Sequence, residues 1–215
     1  MASKASSTTG VTIDITTGTG TAVTGLSFTA AKPAHLTGTA LTIAAGDVIE
    51  ITNSGVKALD GAWVVGTATA TDIVLLGSDT TGATPGALPA GATVTHYTPA
   101  DFTGLCLAAF DVSVEQPSTL SVATFCDPSA TLPVPASTAG TVSLSGFVDT
   151  KDPGYLAIRT LNGDGKTHML RISLPNNGYL LMDGTLSGLG WQVALNDAQR
   201  WSATFTLSML PHHVF

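Results

Sequence analysis

Charge is what this chain has least of. Asp, Glu, Lys and Arg make up 11% of its 215 residues, well under the usual quarter of a globular protein. Only eight are Lys or Arg, and the formal net charge is −7. Binding nucleic acid through its phosphates needs clustered cations, and no basic stripe runs along this sequence. An acidic wall instead repels phosphates and lets a polymer slide past. Cysteine is almost absent, with Cys106 and Cys126 the two that occur. A bridge between them stays open but is not indicated, because two thiols in so long a chain fit a cytoplasmic protein better than a disulfide-stapled secreted one. Long apolar runs are missing too: "LCLAAF" is far too short to cross a bilayer. The opening "MASKASSTTG" has no apolar core segment, so neither a signal peptide nor a membrane anchor is expected, and the chain should be made and folded in a cytoplasm.

What the chain has instead is small and polar. Gly, Ser, Thr and Ala are abundant, and so few charges suit a protein whose outer faces are covered by neighbours. A monomer kept dispersed by Ser and Thr is the alternative. The length suffices for one sizeable β domain, or for a core domain with a small extra one.

Residues 1–10 read as an arm. "VTIDIT" then alternates Val11, Ile13 and Ile15 against Thr12, Asp14 and Thr16, the period-two pattern of a half-buried strand. The following "GTGTAVTGLSFTA" predicts that it forms a hairpin with this strand. Between residues 35 and 98, strands are expected at Leu41–Ile43, Val48–Ile51, Ala62–Val65 and Ile73–Leu76, separated by Gly, Asn and Asp turns, with Asp60-Gly61 a natural tight-turn pair. The Pro- and Gly-rich "GATPGALPAGATVTHYTPADF" reads as a boundary loop.

The second half is again β, with one exception. In "DPGYLAIRTLNG", Asp152 can cap a first helical turn, Pro153 suits the first helical position and Asn162-Gly163 supplies a left-handed stop. A short helix follows, with Tyr155, Ile158 and Leu161 or Leu156 free to pack on a sheet. "PNNG" predicts a hairpin turn. The last strand sets Trp201, Ala203, Phe205, Leu207 and Met209 against Ser202, Thr204, Thr206 and Ser208, the cleanest alternation in the sequence. No internal repeat is visible, and the class is mainly β with one small helix.

Catalytic constellations find little support. Glu50, Glu115 and thirteen Asp offer carboxylates, but nothing selects a pair facing one cleft, and most Asp sit in turn contexts. "NGDGKTH" carries Asn162 and Asp164 like a fragment of a calcium loop, yet lacks its later ligands and closing Glu. His35, His96 and His168 fall at no ligand spacing, and the adjacent His212 and His213 point opposite ways on an extended segment. No GxSxG elbow occurs, "SLSGF" and "LSGLG" lie in or beside strands rather than before a helix, and Gly188 and Gly190 are weak evidence for a phosphate loop for the same reason. Trp63, Trp191 and Trp201 are flanked by alternation that favours burial over a sugar-binding face.

The succession of a strand, the Pro-rich loop "FCDPSATLPVPASTAG", strand "TVSLSGFVD", helix "DPGYLAIRTL", strand "MLRISLP", a hairpin and closing "DAQRWSATFTLS" resembles the tail-tube (major tail) proteins of long-tailed bacteriophages. The likeness covers residues 99–215, with 11–34 as the first strands, and "GDVIEITNSGVKALDGAWVVGTATATDIVLLGSD" is similar to small β modules of phage virion proteins. The resemblance implies a β-sandwich or barrel-type tube subunit with one short helix, plus a small all-β inserted module. Its parts would be an N-terminal arm and first strands at 1–34, an external module at 35–98, and the tube-forming sandwich with a C-terminal arm at 99–215. Sheets of neighbouring copies would join edge to edge around a lumen in hexameric rings, and the rings would stack into a tube.

The implied partners are further copies of the chain and the tape-measure, tail-terminator and distal tail proteins, with DNA passing through the lumen without specific binding. The implied location is the virion tail, assembled in the host cytoplasm. No cofactor, metal or catalytic activity is expected. Ring closure removes open sheet edges that are a hazard in a monomer. The loop from Phe125 to Gly140 is apolar and Pro-rich enough to suit docking on a next ring. Candidate contact residues are Phe125, Asp127, Leu132 and Val134 there, and Leu210, Val214 and Phe215 in the C-terminal arm. Two alternatives remain: another structural virion part, such as a decoration or tail-terminator protein, and a carbohydrate- or cell-binding β-sandwich marked by exposed aromatics or a calcium site.

Overall fold

A computed structural model of the chain describes residues 11–113, 118–121, 131–134, 140–175, 178–193, 198–208 and 212–214. They are mainly β, with one α-helix and two curled antiparallel sheets. In chain order the strands begin with β1 (Thr12–Thr16), β2 (Thr21–Ala22), β3 (Ser27–Phe28), β4 (Ala34–Thr37), β5 (Val48–Thr52) and β6 (Gly61–Ala68). Next come β7 (Asp72–Leu75), β8 (Gly86–Ala87), β9 (Thr93–Tyr97), a single 3-10 turn at Pro99–Asp101, β10 (Phe102–Gly104) and β11 (Ala109–Ser113). The rest are β12 (Ser118–Ser121), β13 (Thr131–Val134), β14 (Thr141–Phe147), α1 (Pro153–Leu161), β15 (His168–Ser173), β16 (Tyr179–Gln192), β17 (Arg200–Leu207) and β18 (His212–Val214).

The first sheet runs β10-β1-β15-β16-β17-β14-β11, with β18 also pairing β16. Its two outermost strands are neighbours in sequence. Leu105 N–H donates to Ile13 O, prolonging β10 along β1, while Ala108 N–H donates to Ser145 O, prolonging β11 along β14. Three residues of extended chain span about 10 Å, so the sheet must curl until its two edges nearly meet. One face of this first barrel carries the alternation read from the sequence: Trp201, Ala203, Phe205 and Leu207 are buried, with Ile15, Leu144, Leu170 and Leu186.

Helix α1 forms where its caps predict. The Asp152 carboxylate accepts from Gly154 N and Tyr155 N, Pro153 occupies the first turn, and Gly163 at φ 78° follows the last. Tyr155, Ala157, Ile158 and Leu161 fill the barrel interior. Gly154 lies so close to the seam that a Cβ there would meet Gly104 O at 2.6 Å.

The second sheet runs β2-β9-β5-β6-β7-β4-β3-β8, and it too curls. Val23 N–H donates to Val94 O at one end and Leu88 N–H to Leu26 O at the other, so Val23 to Leu26 bridges the two ends as Leu105 to Ala108 does in the first barrel. Leu36, Ile49, Ile51, Leu59, Trp63, Ile73 and Leu75 fill it. The sequence places β2 and β3 with the first strands of the main domain, as a hairpin on β1. The pairing instead carries both into the second sheet, against β9, β4 and β8, where Leu26 and Phe28 join the core. The whole second barrel is therefore inserted between β1 and β10, which pair with each other directly below it, Thr16 opposite Phe102. Leu41–Ile43 is irregular rather than a strand, with Ile43 alone buried ahead of the turn that Asp47 ties by accepting from Ala44 N.

The barrels share a wall. Val48, Ala62 and Val64 of the second pack with Met169 and Leu181 of the first, flanked by Tyr97, Phe102 and Tyr179. Strand β6 is buried from Gly61 to Val65 for this reason: Trp63 and Val65 face one core while Ala62 and Val64 face the other barrel. A strand covered on both faces reads as a continuous apolar run.

Candidate functional site

Unpaired backbone is the first feature with functional consequence. β12 and β13 form a two-stranded antiparallel ribbon, Leu120 opposite Leu132, and among the described residues pair with no other strand. The ribbon leaves the barrel between edge strand β11 and β14. Of the contact residues expected from the sequence, Leu132 and Val134 lie in β13, so this part of the Pro-rich loop is a strand. Val214 lies in β18, opposite Tyr179. Phe125, Asp127, Leu210 and Phe215 lie outside the described residues. Of the expected set, the described residues thus place Leu132 and Val134 in the ribbon and Val214 beside β16.

The wall between the barrels holds a second cluster, around the buried Asp183 and the half-buried Glu50. Strand β16 alternates Leu181, Met182 and Asp183, so Asp183 faces the second barrel as Leu181 does. Asp183 is buried, and that burial, with the charge of Glu50 on β5, pushes its carboxyl up to about 7. The Tyr97 hydroxyl donates to Glu50 Oε2 at 3.1 Å, and burial together with Glu50 raises this phenol above its ordinary range. Beside them Arg171 donates from Nη2 to Asp14 Oδ2 at 3.0 Å and lies 4.2 Å over the Phe102 ring. None of these residues stands out in the sequence, because Glu50, Tyr97, Asp183 and Arg171 come from four strands of two sheets.

His35, His96 and His168 each have an Asp partner. His96 Nε2 lies 2.6 Å from Asp47 Oδ2 in a buried pair, His168 Nε2 3.0 Å from Asp164 Oδ2, and His35 Nδ1 3.0 Å from Asp72 Oδ2. Asp164 also accepts from Lys166 N, which holds its carboxyl below the usual range. The loop resembling a calcium fragment is therefore a turn closed by its own backbone, and Asn162 Oδ1 accepts from Leu189 N. Among the described residues no three His, Cys, Asp or Glu side chains gather as metal ligands. Cys106 is exposed, and partial burial with Asp152 and Asp149 nearby raises its thiol.

The tryptophans divide. Trp63 and Trp201 are buried as expected, each donating its Nε1–H to a backbone carbonyl, Leu59 O and Phe147 O. Trp191 is 54% exposed, which corrects the expectation of burial. It sits opposite Trp201, past the bulge between Ser187 and Gly190, where Gly188 has φ 65°. The strand has run beyond the core there, and only the indole N–H is tied down, to Tyr155 OH at 3.0 Å.

A cavity of about 280 Å³ opens at the seam of the second barrel, between the segments 23–27 and 87–94. No described helix is long and apolar enough to cross a membrane. The chain matches no known protein-family model and no curated protein.

Proposed function

We propose that this chain is a structural subunit that closes with copies of itself into hexameric rings, and that the rings stack as the tail tube of a long-tailed bacteriophage, the conduit for DNA delivery. The observation that carries this reading is the β12–β13 ribbon. Two strands alone are marginally stable in water, and this pair is strand-paired to nothing else among the described residues. A neighbour's sheet edge would supply the missing partner, as backbone donors and acceptors on an open strand demand. The low charge of the chain supports the same reading, because surfaces meant to be covered keep few charges.

Electron microscopy of the negatively stained protein over a concentration series tests it. Hollow tubes or stacked rings are the expected result. Monomers at every concentration, with or without other tail components, would overturn it, and trimers or single closed rings would assign the chain to capsid decoration or tail termination instead. Replacing residues 114–139 by a short turn should abolish assembly while leaving the melting of the two barrels in place.

A further inference from the structure

Four large hydrophobic side chains are exposed among the described residues, Phe147, Leu156, Trp191 and Val193. Of these Trp191 and Leu156 lie at one end of the first barrel, with Val193 two residues past Trp191, and Phe147, opposite Arg200, on the other face of the sheet. The register puts Gln192 opposite Arg200 and Arg200 opposite Phe147, and the Arg200 guanidinium lies 5.4 Å over the Phe147 ring. Trp191 is bonded to Tyr155, the neighbour of Leu156 in α1. This rim is remote from the second barrel: Trp191 lies ten residues along β16 from Leu181 in the shared wall, about 33 Å of extended chain. Single scattered hydrophobics would need no explanation, but an exposed Trp191 with Leu156 next to its hydrogen-bond partner marks a contact surface.

The same chain carries a matching hollow. The seam cavity of the second barrel is lined by Val23, Leu26, Leu88, Pro89 and Val94, and at about 280 Å³ it falls just under the ~300–1,000 Å³ of small-molecule sites. That is room for one large side chain rather than for an extended ligand. The first barrel shows what covers such a seam, since α1 lays Gly154 and Tyr155 against its crossing segment. The second barrel has no helix to do so.

Charge names the occupant. Copies bearing −7 repel at long range and can meet only where carboxylates are few. Residues 17–31 and 80–100, which build the seam, contain no Asp, Glu, Lys or Arg, and neither do 184–193 and 141–148, which build most of the rim. Resting on the self-assembly reading above, we propose that the Trp191 rim of one copy docks into the seam cavity of a second copy in the next ring. Each copy then offers one knob and one hollow. Such a contact is head to tail and does not close on itself, so it propagates along a tube.

The test compares wild type with Trp191→Ala and with Ala90→Trp, which fills the mouth of the cavity from an exposed position, using sedimentation and electron microscopy. Each variant should raise the concentration needed for stacking at least tenfold, as loss of a central aromatic contact does, and leave single rings where wild type gives tubes. Mixing preformed rings of the two restores one intact knob and hollow, so paired rings that do not lengthen are expected. Tubes unchanged in both variants would overturn the docking and leave the ring reading standing. Loss of stacking in Trp191→Ala alone would also overturn it, because a contact between two Trp191 rims needs no cavity. A wild type that forms neither rings nor tubes would overturn both. Melting curves of each variant verify that the barrels are folded, and Ala90→Trp carries the test on its own if Trp191→Ala melts early.

Discussion

In the first barrel the crossing segment Leu105–Ala108, which brings the two sheet edges together, lies beneath the N-terminal turn of α1; in the second, the corresponding segment Val23–Leu26 borders an open cavity of about 280 Å³. Both sheets reach near-closure in a similar way, with a three-residue step from one outer strand to the far end of the sheet. The step runs from β10 to β11 in the first, and from β2 to β3, the neighbour of outermost β8, in the second. They differ in what lies over the gap. A curled sheet of eight strands leaves apolar side chains at its seam, and the protein covers one seam with its own helix while leaving the other to solvent. Side-chain filling suffices for the interior of the second barrel, where Trp63, Leu59 and Ile73 are buried, but not for its mouth.

Emptying the helical plug of the first barrel should have the largest effect. Ile158→Ala removes a wholly buried side chain of α1, and a loss of about 2–5 kcal/mol is expected from the cavity it leaves. Denaturant unfolding of the variant against wild type reads this directly. A similar loss from an exposed position of α1, such as Leu156→Ala, would show that the helix does not work by filling the seam.

The shared wall gives the next effect. The unfolded Asp183 has an ordinary carboxyl value near ~3.9, whereas the folded one titrates at about 7. Below pH ~4 both states hold the proton and the group contributes nothing to pH dependence. As pH rises, the unfolded chain ionises while the folded chain must keep its proton, so stability should fall by about a few kcal/mol up to pH ~7 and then level off. Melting temperatures of wild type and Asp183→Asn between pH 4 and 8 would test the sign. The Asn variant should lose the slope, and an unchanged slope would assign it to other groups.

Smaller effects sharpen the contrast between seams. Gly154→Ala puts a methyl 2.6 Å from Gly104 O, where backbone must give way, and should cost about 1–3 kcal/mol despite the better helix propensity of Ala. Asp152→Ala removes the cap of α1 and should cost about 1 kcal/mol. At the other seam the sign reverses. Ala92→Val adds a methyl pair to the wall of an open cavity and should stabilise the isolated protein by about 0.5–1 kcal/mol. A destabilising Ala92→Val would mean that the two seams are equally packed.

Local chemistry made much of this fold legible. Helix α1 stands where Asp152, Pro153 and Gly163 predict it, because caps act on backbone groups within one turn. β17 is buried on the side that Trp201, Ala203, Phe205 and Leu207 define, because a strand with one wet face must alternate. The assignment of β2 and β3 was not legible. Two-residue strands set among glycines carry no periodicity, and only Leu26 and Phe28 say which core they join. Exposure of Trp191 was hidden for the opposite reason: its flanks alternate like a buried strand, but β16 runs past the core after its bulge. The ribbon was half visible, as a strand followed by a Pro-rich loop whose residues 131–134 pair back on residues 118–121.

By itself, then, the sequence determined the class, the one helix and the inward faces of the long strands, since hydrophobic period and capping are properties of neighbours along the chain. Only the tertiary structure decided that residues 21–97 form a barrel inserted into the β1–β10 hairpin, that one seam is covered and the other open, and that Glu50, Tyr97 and Asp183 meet in the wall between them. Those outcomes depend on which strand edges pair across long separations, and a strand edge offers the same backbone donors and acceptors whatever its side chains.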